Sequence, residues 1–537
     1  MERRDIIKSL SILPLAGGFV PMDSILGASR GPLVAGPNIY DSIGVDTVIN
    51  CVGTYTIIGG SLERPEVVEA MHAASGFFVQ YDELAFGVAR RLAELTGAEW
   101  GMVSAGCAAG MKHVTAACVT GGNPEKLIRI PDLSGFDKTE VVIPRSSRNA
   151  YDHAVRNIGV TIITVDTFEE LDRALNSRTA MIYLMAANDL QNDEPFNLER
   201  IAKLAKPLNI PILVDAAAED LTVPNVHLQR GADVVAYSGG KALCGPQCAG
   251  VLLGRKDILM SAWQASAPHH GPCRDNKVGK EEMLGMLAAI ESWVKRDHVA
   301  KMKTWHTYLD VITKRVSSIN GVTTSVREPR GLSNHSPSLI ISWNPDQFNL
   351  TGQEMLEDLA MNKPRIAVHS NSRGESDQTS ITISSGQMQP GNDKIVSDRI
   401  YSLLTQKRPK SSKEMAAPSG DLVGRWDVEI QFYSSKSQHT FFIEEQDGNW
   451  ILGSHKGDFS NRDMAGIIEG DQVKLSSSDR HVADNIPFVF SGKLSGDTIT
   501  GEIYMGEYIR SHFTAKRHNQ KQMRRPIRFP KGQPLAT

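Results

Sequence analysis

The sequence has few cysteines, little net charge and no long apolar run. Six cysteines in 537 residues, none in a CxxC pair, are too few for a disulfide scaffold and argue against structural zinc. A formal net charge of -3 implies no strongly basic surface, so we expect no nucleic-acid partner. No segment is long and apolar enough for an ordinary membrane span, so we expect no stable membrane insertion.

What the chain does have is enough length and apolar content for several domains. At 537 residues, with 41% apolar and 22% charged residues, it is typical of a globular protein with two or three cores. The patterns described below divide it into a signal, a large domain, a small α+β domain, a linker, a β-domain and a tail that we expect to be disordered. Their bounds are, in that order, 1–30, 31–295, 296–408, 409–419, 420–518 and 519–537.

The N-terminal segment is typical of an export signal. Arg3 and Arg4 precede a weakly apolar stretch that runs to Val20, and small residues follow at Gly27-Ala28-Ser29. The arginine pair is of the twin-arginine type, a route that carries folded proteins. We therefore predict export to the periplasm, or a cytoplasmic location if the signal is not used. A frayed amphipathic N-terminus remains the alternative.

Residues 45–260 alternate between short apolar runs and helical patterns. The first run leads into a small-residue turn, and the others are rich in β-branched residues and mostly apolar, as in strands buried on both faces. They lie at 99–105, 139–144, 159–165, 179–185, 210–215 and 232–238. Helical patterns such as 108–120, 168–176 and 197–209 separate them. This alternation predicts an α/β fold with a mostly parallel sheet covered by helices on both sides.

The remainder of the chain has a different order of helical and strand-like patterns. A long helical pattern at 281–315 precedes strand-like runs at 338–343, 365–370 and 380–386, and a helix at 392–406 closes what we predict to be a small α+β domain. After the linker, about eight short and often alternating strands are separated by Gly, Asp and Ser turns. This pattern predicts an antiparallel barrel or sandwich.

Three motifs that could take part in catalysis or cofactor binding lie at the ends of strand-like runs. The small residues of Ser104–Gly110 would let backbone N–H groups approach a phosphate at a helix N-terminus, although close packing also explains them. Asp215 ends a buried strand, where it could pair with a protonated pyridine nitrogen or cap a helix, and Ala217 could lie flat against the ring. Lys241 follows Ser238-Gly239-Gly240, where a desolvated amine becomes a nucleophile, although a lone lysine there could lie at the surface.

The segment around the lysine resembles a known family. SGGKALCGPQCAGVLLG (238–254) is similar to the lysine segment of selenocysteine-synthase-like enzymes, which are fold type I enzymes dependent on pyridoxal 5′-phosphate (PLP). Further segments look more like the D-glucosaminate-6-phosphate ammonia-lyase branch of that family. They are 53–61, 94–110, 148–159, 214–220 and 277–291.

The resemblance covers roughly residues 45–405 and implies a fold, a cofactor and its contacts. It implies the large and small domains of a fold type I transferase, a PLP Schiff base on Lys241 and a contact from Asp215 to the pyridine nitrogen. Phosphate contacts are implied for Gly106, Cys107, Ala108 and Ser238, although Cys107 stands where many relatives have Ala. Because enzymes of this fold share active sites between subunits, a homodimer or larger homo-oligomer is also expected.

Candidate substrate-binding residues carry a guanidinium, ammonium or imidazole group. A carboxylate substrate favours a guanidinium fork, and a histidine could stack on the ring or shuttle a proton. The candidates are Arg148, His153, Arg274, Lys277 and Arg365. Each could equally lie at the surface or on a helix face. We expect no metal, because His269 and His270 are adjacent and no carboxylate ligand pattern accompanies them.

The predicted activity is an α,β-elimination of the ammonia-lyase type on a small amino acid or amino sugar acid. The freed Lys241 would remove the Cα proton, and Asp215 would stabilise the carbanion through the ring nitrogen. Transamination and racemisation begin from the same carbanion and stay open as alternatives. An alternative of another class is a non-catalytic binding protein that keeps a relic of this fold.

Overall fold

The computed structural model describes residues 32–36, 38–186, 195–371, 378–409 and 415–519. The predicted export signal at 1–30 lies outside the described residues, as does all but the first residue of the predicted tail. The described chain forms two compact units, an α/β unit that extends to residue 409 and a barrel unit that begins at residue 415. No helix among the described residues is both long and apolar enough to cross a bilayer.

The strands of the α/β unit form a large sheet, a smaller sheet and an isolated pair. Their bounds are β1 Val48–Asn50, β2 Trp100–Ser104, β3 Glu140–Pro144, β4 Thr161–Val165, β5 Thr179–Met185, β6 Ile212–Asp215, β7 Val234–Ser238, β8 Gly250–Gly254, β9 Val322–Arg327, β10 Ser338–Trp343, β11 Arg365–Ala367, β12 His369–Asn371 and β13 Thr379–Ser384.

The helices of the same unit cover these sheets. Their bounds are α1 Pro65–Ser75, α2 Tyr81–Thr96, α3 Cys107–Thr120, α4 Pro124–Leu127, α5 His153–Arg156, α6 Phe168–Ala174, α7 Leu198–Ala205, α8 Val226–Gln229, α9 Lys256–Ala265, α10 Lys280–Lys295, α11 His298–Val316, α12 Pro345–Phe348, α13 Gly352–Met361 and α14 Asn392–Thr405.

The large sheet has seven strands in the order β2-β8-β7-β6-β5-β3-β4. The ladders from β7 through β6, β5 and β3 to β4 are parallel, and β8 runs antiparallel to both β7 and β2. The interior strand β5 is buried along nearly its whole length, as an apolar strand covered on both faces must be. The predicted mostly parallel α/β sheet is therefore confirmed.

The small sheet is antiparallel, in the order β12-β13-β10-β9, and α11, α13 and α14 contact its strands or one another. Strand β11 pairs instead with β1 from the start of the described chain, in parallel register from Val48↔Arg365 to Asn50↔Ala367. This pairing ties the N-terminal strand to the small subdomain. It places residues 52–55, which follow β1, in the lining of a cavity of about 740 Å³.

The barrel unit is a closed antiparallel barrel of eight strands, which confirms the predicted fold and selects a barrel over a sandwich. Side chains alternate along its strands, so that Trp426, Val428 and Ile430 of the first strand are buried in the core. The strands are β14 Gly424–Gln431, β15 Lys436–Asp447, β16 Trp450–Lys456, β17 Asn461–Glu469, β18 Gln472–Arg480, β19 Asn485–Ser495, β20 Thr498–Met505 and β21 Tyr508–Arg517.

A short polar chain interrupts the apolar interior of the barrel. Nδ1 of His439 lies 2.8 Å from Nε2 of His455, and Nδ1 of His455 lies 2.7 Å from Oγ of Ser477. Burial lowers the pKa of His455 from 6.5 to about 3, and the neighbouring His439 adds to the shift. The folded barrel therefore holds His455 neutral at pH values where the unfolded chain would bind a proton.

We expect the barrel to lose stability as the pH falls below 6.5. The pKa of His455 is lower in the folded barrel than in the unfolded chain, so protonation favours the unfolded chain. The free energy of unfolding is therefore highest above the unfolded pKa of 6.5 and falls progressively as the pH drops towards 3. At pH 5 the free energy of unfolding is lower by about 2 kcal/mol, which corresponds to roughly 30-fold less protection from hydrogen exchange. Hydrogen exchange of barrel peptides in the full chain, corrected for intrinsic rates, measures it at pH 7 and pH 5. His455→Gln should flatten this dependence, and equal protection of the wild-type barrel at both pH values would contradict it.

Candidate active site

Asp215 and Lys241 follow neighbouring parallel strands at the same edge of the large sheet. Asp215 is the last residue of β6 and lies opposite Ala236 of β7, while Lys241 follows three residues after the end of β7. The carboxyl ends of parallel strands are where open α/β sheets bind ligands. The fold therefore brings the two predicted cofactor residues to one edge.

The turn that carries Lys241 has room only for glycine. A Cβ on Gly239 would lie 2.7 Å from the carbonyl oxygens of Ala249 and Pro246, and one on Gly240 would lie 2.6 Å from Cα of Gln247. Both contacts are with backbone, which cannot move aside as a flexible side chain could. The two glycines thus let the chain turn tightly between β7 and Lys241.

The carboxylate of Asp215 is buried and accepts three hydrogen bonds. The Tyr183 hydroxyl donates to Oδ2 at 2.9 Å, the backbone N–H of Ala217 donates to Oδ1 at 3.0 Å, and the Cys107 thiol donates to Oδ1 at 3.4 Å. Only 6% of Asp215 is exposed. These donors come from β5, from the turn after β6 and from α3, so three separate elements fix the direction of the carboxylate.

Two of these donors remain protonated because of their surroundings. Burial, and then the charge of Asp215, raises the pKa of the Cys107 thiol well above its usual value and raises the pKa of the Tyr183 hydroxyl likewise. The charge of Lys241 opposes the shift in the Cys107 pKa. Cys107 and Asp215 are hydrogen-bonded to each other, and Lys241 follows the strand that pairs with β6.

The loop before α3 presents unused backbone donors to the same site. Gly106 adopts a φ of +89° and makes no side-chain cap, so the N–H groups of the first helical turn, including those of Cys107 and Ala108, have no side chain bound to them. Gly250 of β8 packs against this loop, since a Cβ there would lie 2.6 Å from the carbonyl carbon of Gly106. Ser238 pairs with Gly250 in the ladder and so lies next to the loop.

These residues fit the cofactor implied by the resemblance. Uncapped N–H groups at the start of a 14-residue helix suit a phosphate, a buried carboxylate suits a protonated ring nitrogen, and a lysine after a glycine turn suits an aldehyde. A further buried polar atom, Oγ of Ser61, has no hydrogen-bond partner within the described protein. The N–H of Ser61 donates to the carbonyl of Gly240 at 3.0 Å, which fixes this hydroxyl beside the lysine turn.

Sequence reasoning missed Tyr183, Asn149 and Ser61. Nδ2 of Asn149 donates to the Tyr183 hydroxyl at 3.1 Å, so a chain of hydrogen bonds runs from Asn149 through Tyr183 to Asp215. The signal for Tyr183 was its hydroxyl in an otherwise apolar strand, which must find a partner when buried. For Ser61 the signal was its place at the end of the family segment 53–61.

Replacing Tyr183 with phenylalanine should weaken cofactor binding about tenfold. The change keeps the ring volume but removes one donor from Asp215 and one acceptor from Asn149, at a cost of about 1–1.5 kcal/mol. Fluorescence titration of the apoenzyme with PLP measures the effect. Tyr237→Phe is the matched control, because the buried Tyr237 hydroxyl accepts from Asn225 rather than contacting Asp215. Equal losses in both variants would contradict a role for Tyr183 in positioning Asp215.

The predicted arginine ligands are placed differently from the cofactor residues. Nε of Arg148 donates to the buried Asp152 at 2.5 Å, and its Nη1 donates to Thr164 at 2.6 Å, so much of the guanidinium is already committed. Nε of Arg365 donates to the carbonyl of Ala360 at 2.6 Å. These contacts tie both side chains to the protein framework.

The other three candidates are exposed, and two of them lie at or next to a side pocket. His153 begins α5 and, with Ala108 and Lys112 of α3, lines a cavity of about 290 Å³ beside the first turn of that helix. Arg274 lies in a 3-10 turn, two of whose residues line the same cavity, and Lys277 follows that turn. The described residues contain no group of three or more His, Cys, Asp or Glu side chains that could hold a metal.

Comparison with known proteins shows which enzymes this chain resembles. The family model described as Cys/Met metabolism PLP-dependent enzyme matches residues 84–293. D-glucosaminate-6-phosphate ammonia lyase from Salmonella typhimurium is 30% identical over 301 residues, which is 54% of this chain and 79% of the relative. L-seryl-tRNA(Sec) selenium transferase from Proteus mirabilis is 25% identical over 294 residues, which is 48% of this chain and 58% of that relative.

A solved structure of D-glucosaminate-6-phosphate ammonia-lyase superimposes with a TM-score of 0.60 at 26% identity and covers 69% of this chain and 99% of that one. Together with the site geometry, these matches confirm a fold type I enzyme that uses pyridoxal 5′-phosphate. The chain belongs to the selenocysteine-synthase-like family of PLP-dependent enzymes, in the vicinity of its D-glucosaminate-6-phosphate ammonia-lyase branch.

Proposed function

We propose that the chain catalyses an α,β-elimination that releases ammonia from an amino acid or amino sugar acid. The observation that carries the proposal is the placement of Lys241 and a buried, triply hydrogen-bonded Asp215 after neighbouring strands, in a chain that is 30% identical over 301 residues to an ammonia lyase. When bound, PLP supplies an electron sink for the bonds at Cα. Residues of this chain supply the base and hold the cofactor in position.

Lys241 is the base of the proposed reaction. Its amine takes the proton from Cα, the β-substituent leaves with its bonding pair, and water then hydrolyses the released enamine to a keto acid and ammonia. Asp215 would hold a negative charge against the ring nitrogen of the bound cofactor, and the three hydrogen bonds that its carboxylate accepts prevent it from turning away. The uncapped N–H groups of Cys107 and Ala108 would hold the phosphate.

The test is an assay of the purified holoenzyme with candidate amino acids and amino sugar acids. Ammonia and keto acid produced in equal amounts support elimination. Keto acid formed only with a second amino acceptor would indicate transamination, and loss of chirality without ammonia would indicate racemisation. Either of these two results would overturn the elimination while keeping the cofactor chemistry.

Self-association and export are also part of the proposal. An apolar face on α1 and the loop after it supports a homo-oligomer, because Phe77 is 71% exposed and Phe78 is fully exposed there. A groove of about 570 Å³ lined mainly by alanine and leucine side chains of α1, α2 and α10 adjoins Phe77. Light scattering tests the oligomeric state, and cell fractionation tests export to the periplasm through the Arg3-Arg4 signal.

A further inference from the structure

The turn that carries Lys241 satisfies most of its carbonyl oxygens with nearby backbone N–H groups. Four of these oxygens accept backbone hydrogen bonds of 2.9–3.2 Å, at Gly239, Gly240, Lys241 and Cys244. Within the described part of the chain, the carbonyls of Ala242 and Leu243 accept none from the backbone. Because an unpaired backbone carbonyl away from water costs about as much free energy as a lost hydrogen bond, these two need another donor.

The guanidinium of Arg296 supplies that donor to both carbonyls. Its Nη1 lies 3.4 Å from the carbonyl oxygen of Ala242, and its Nη2 lies 3.3 Å from that of Leu243. The thiol of Cys244 adds a longer contact to the first of these oxygens, at 3.5 Å. One side chain thus binds the two consecutive carbonyls that directly follow Lys241, which suits the planar fork of an arginine.

Arg296 is half-buried and packs against an aromatic ring. Its Cζ lies 4.9 Å from the ring centroid of Trp293, and Nε1 of that tryptophan donates to the carbonyl of Leu221 at 2.8 Å. Burial lowers the pKa of the guanidinium, and Glu66, whose charge opposes this shift, is paired with Arg64 at 2.8 Å. A cation in such surroundings costs free energy, which points to a role beyond stability.

Arg296 also lies at the junction between the large domain and the small subdomain. Helix α10, which contacts α1 and α2, ends at Lys295, and Asp297 caps α11, which contacts β9, β10 and α14. From this junction the side chain of Arg296 reaches the turn of Lys241. Sequence patterns did not single it out, because only the folded chain brings the end of α10 to that turn.

We propose that Arg296 is a positioning residue for Lys241. By holding the carbonyls of Ala242 and Leu243, its guanidinium fixes the backbone from which the lysine amine reaches the aldehyde of the cofactor. Arg296 acts through this backbone and transfers no proton. The inference rests on the proposed role of Lys241 as the residue that binds PLP. It does not depend on elimination, and it holds equally for transamination or racemisation.

Replacing Arg296 with methionine should slow the capture of PLP by the full-chain apoenzyme at least about tenfold. Methionine keeps an unbranched apolar stem beside Trp293 but removes both donors, so the turn no longer holds the lysine amine in one direction. Stopped-flow absorbance of the cofactor measures the rate of capture without any turnover. Borohydride reduction and peptide mass analysis show whether the captured cofactor is on Lys241.

Two further variants separate positioning from stability. Arg296→Lys keeps the charge but replaces the fork with a single ammonium, so capture should again be slower than in the wild type, and it serves as the test if Arg296→Met does not fold. Arg408→Met is the matched control, because Arg408 is a half-buried arginine of the small subdomain whose Nη1 donates to the carbonyl of Leu403 at 2.5 Å. We expect it to capture PLP at the wild-type rate.

The outcomes distinguish this inference from the assignment of Lys241. Slow capture in the Arg296 variants, with a wild-type rate in Arg408→Met, supports the positioning role. A wild-type rate in the folded Arg296 variants overturns it, even if their melting temperatures fall, and so does an equal loss in Arg408→Met. A cofactor label on another lysine of the wild-type enzyme contradicts the role of Lys241 and removes the inference with it.

Discussion

Replacing Lys241 with alanine will reduce ammonia release at least about 10³-fold. The substitution removes both the amine that reacts with the cofactor aldehyde and the base that takes the Cα proton. Steady-state assay of the purified variant with the best substrate measures the loss.

A second readout makes this result independent of the substrate. Borohydride reduction of the wild-type holoenzyme should fix the mass of the cofactor on the peptide that contains Lys241, and the alanine variant should show no labelled peptide. Lys203→Ala is the matched control, because Lys203 is an exposed lysine on α7. A cofactor label on any other lysine of the wild-type enzyme would contradict the assignment of Lys241.

Replacing Asp215 with asparagine should lower kcat about 10²–10³-fold. The substitution keeps the size of the side chain but removes the negative charge that holds a proton on the ring nitrogen. The amide must also turn its NH2 group towards at least one donor, because the Tyr183 hydroxyl, the Cys107 thiol and the Ala217 N–H all donate hydrogen bonds to this position. The variant therefore loses both the charge and part of its positioning.

The effect should fall on kcat and on cofactor affinity together. Stopped-flow single-turnover assays and fluorescence titration with PLP measure the two quantities separately. Asp310→Asn on α11 is the matched control, because Asp310 is exposed and lies outside the site. If Asp215→Asn retained wild-type kcat with saturating PLP, the charge at this position would have no part in the reaction.

Where the sequence pattern was unbroken, it predicted the fold closely. The apolar runs 179–185 and 338–343 correspond residue for residue to β5 and β10, because burial on one or both faces imposes a continuous or alternating apolar pattern. The run 281–315 was predicted as one helical pattern but forms α10 and α11. The break comes at Asp297, whose side chain accepts from the N–H of Ala300 and caps the second helix.

Strand β8 shows the limit of such patterns. Its five residues begin and end with glycine, and only the family resemblance distinguishes this segment in the sequence. The glycines are required by tertiary packing, since a Cβ on Gly250 would meet the loop at Gly106 and one on Gly254 would lie 2.1 Å from the carbonyl oxygen of Asp233. A contact between residues more than a hundred positions apart leaves no periodic signal in the sequence.

The same reasoning separates the parts of the site that could be foreseen. Asp215 and Lys241 could be singled out because each follows a recognisable strand. Tyr183 could not, since its role depends on which strand lies beside β6. Arg148 is a predicted substrate ligand, but in the folded chain two of its guanidinium nitrogens already donate hydrogen bonds to Asp152 and Thr164.

The position of β8 between β7 and β2 has a consequence for how this enzyme could change over time. The segment that carries Lys241 joins two antiparallel neighbours in the interior of the sheet, so both of its ends are anchored in buried ladders. A longer segment there would disturb the turn at Gly239 and Gly240, where a Cβ has no room, whereas the loop that follows β9 is partly exposed. Changes in sequence should therefore be tolerated better in that loop than in the segment that carries the reactive lysine.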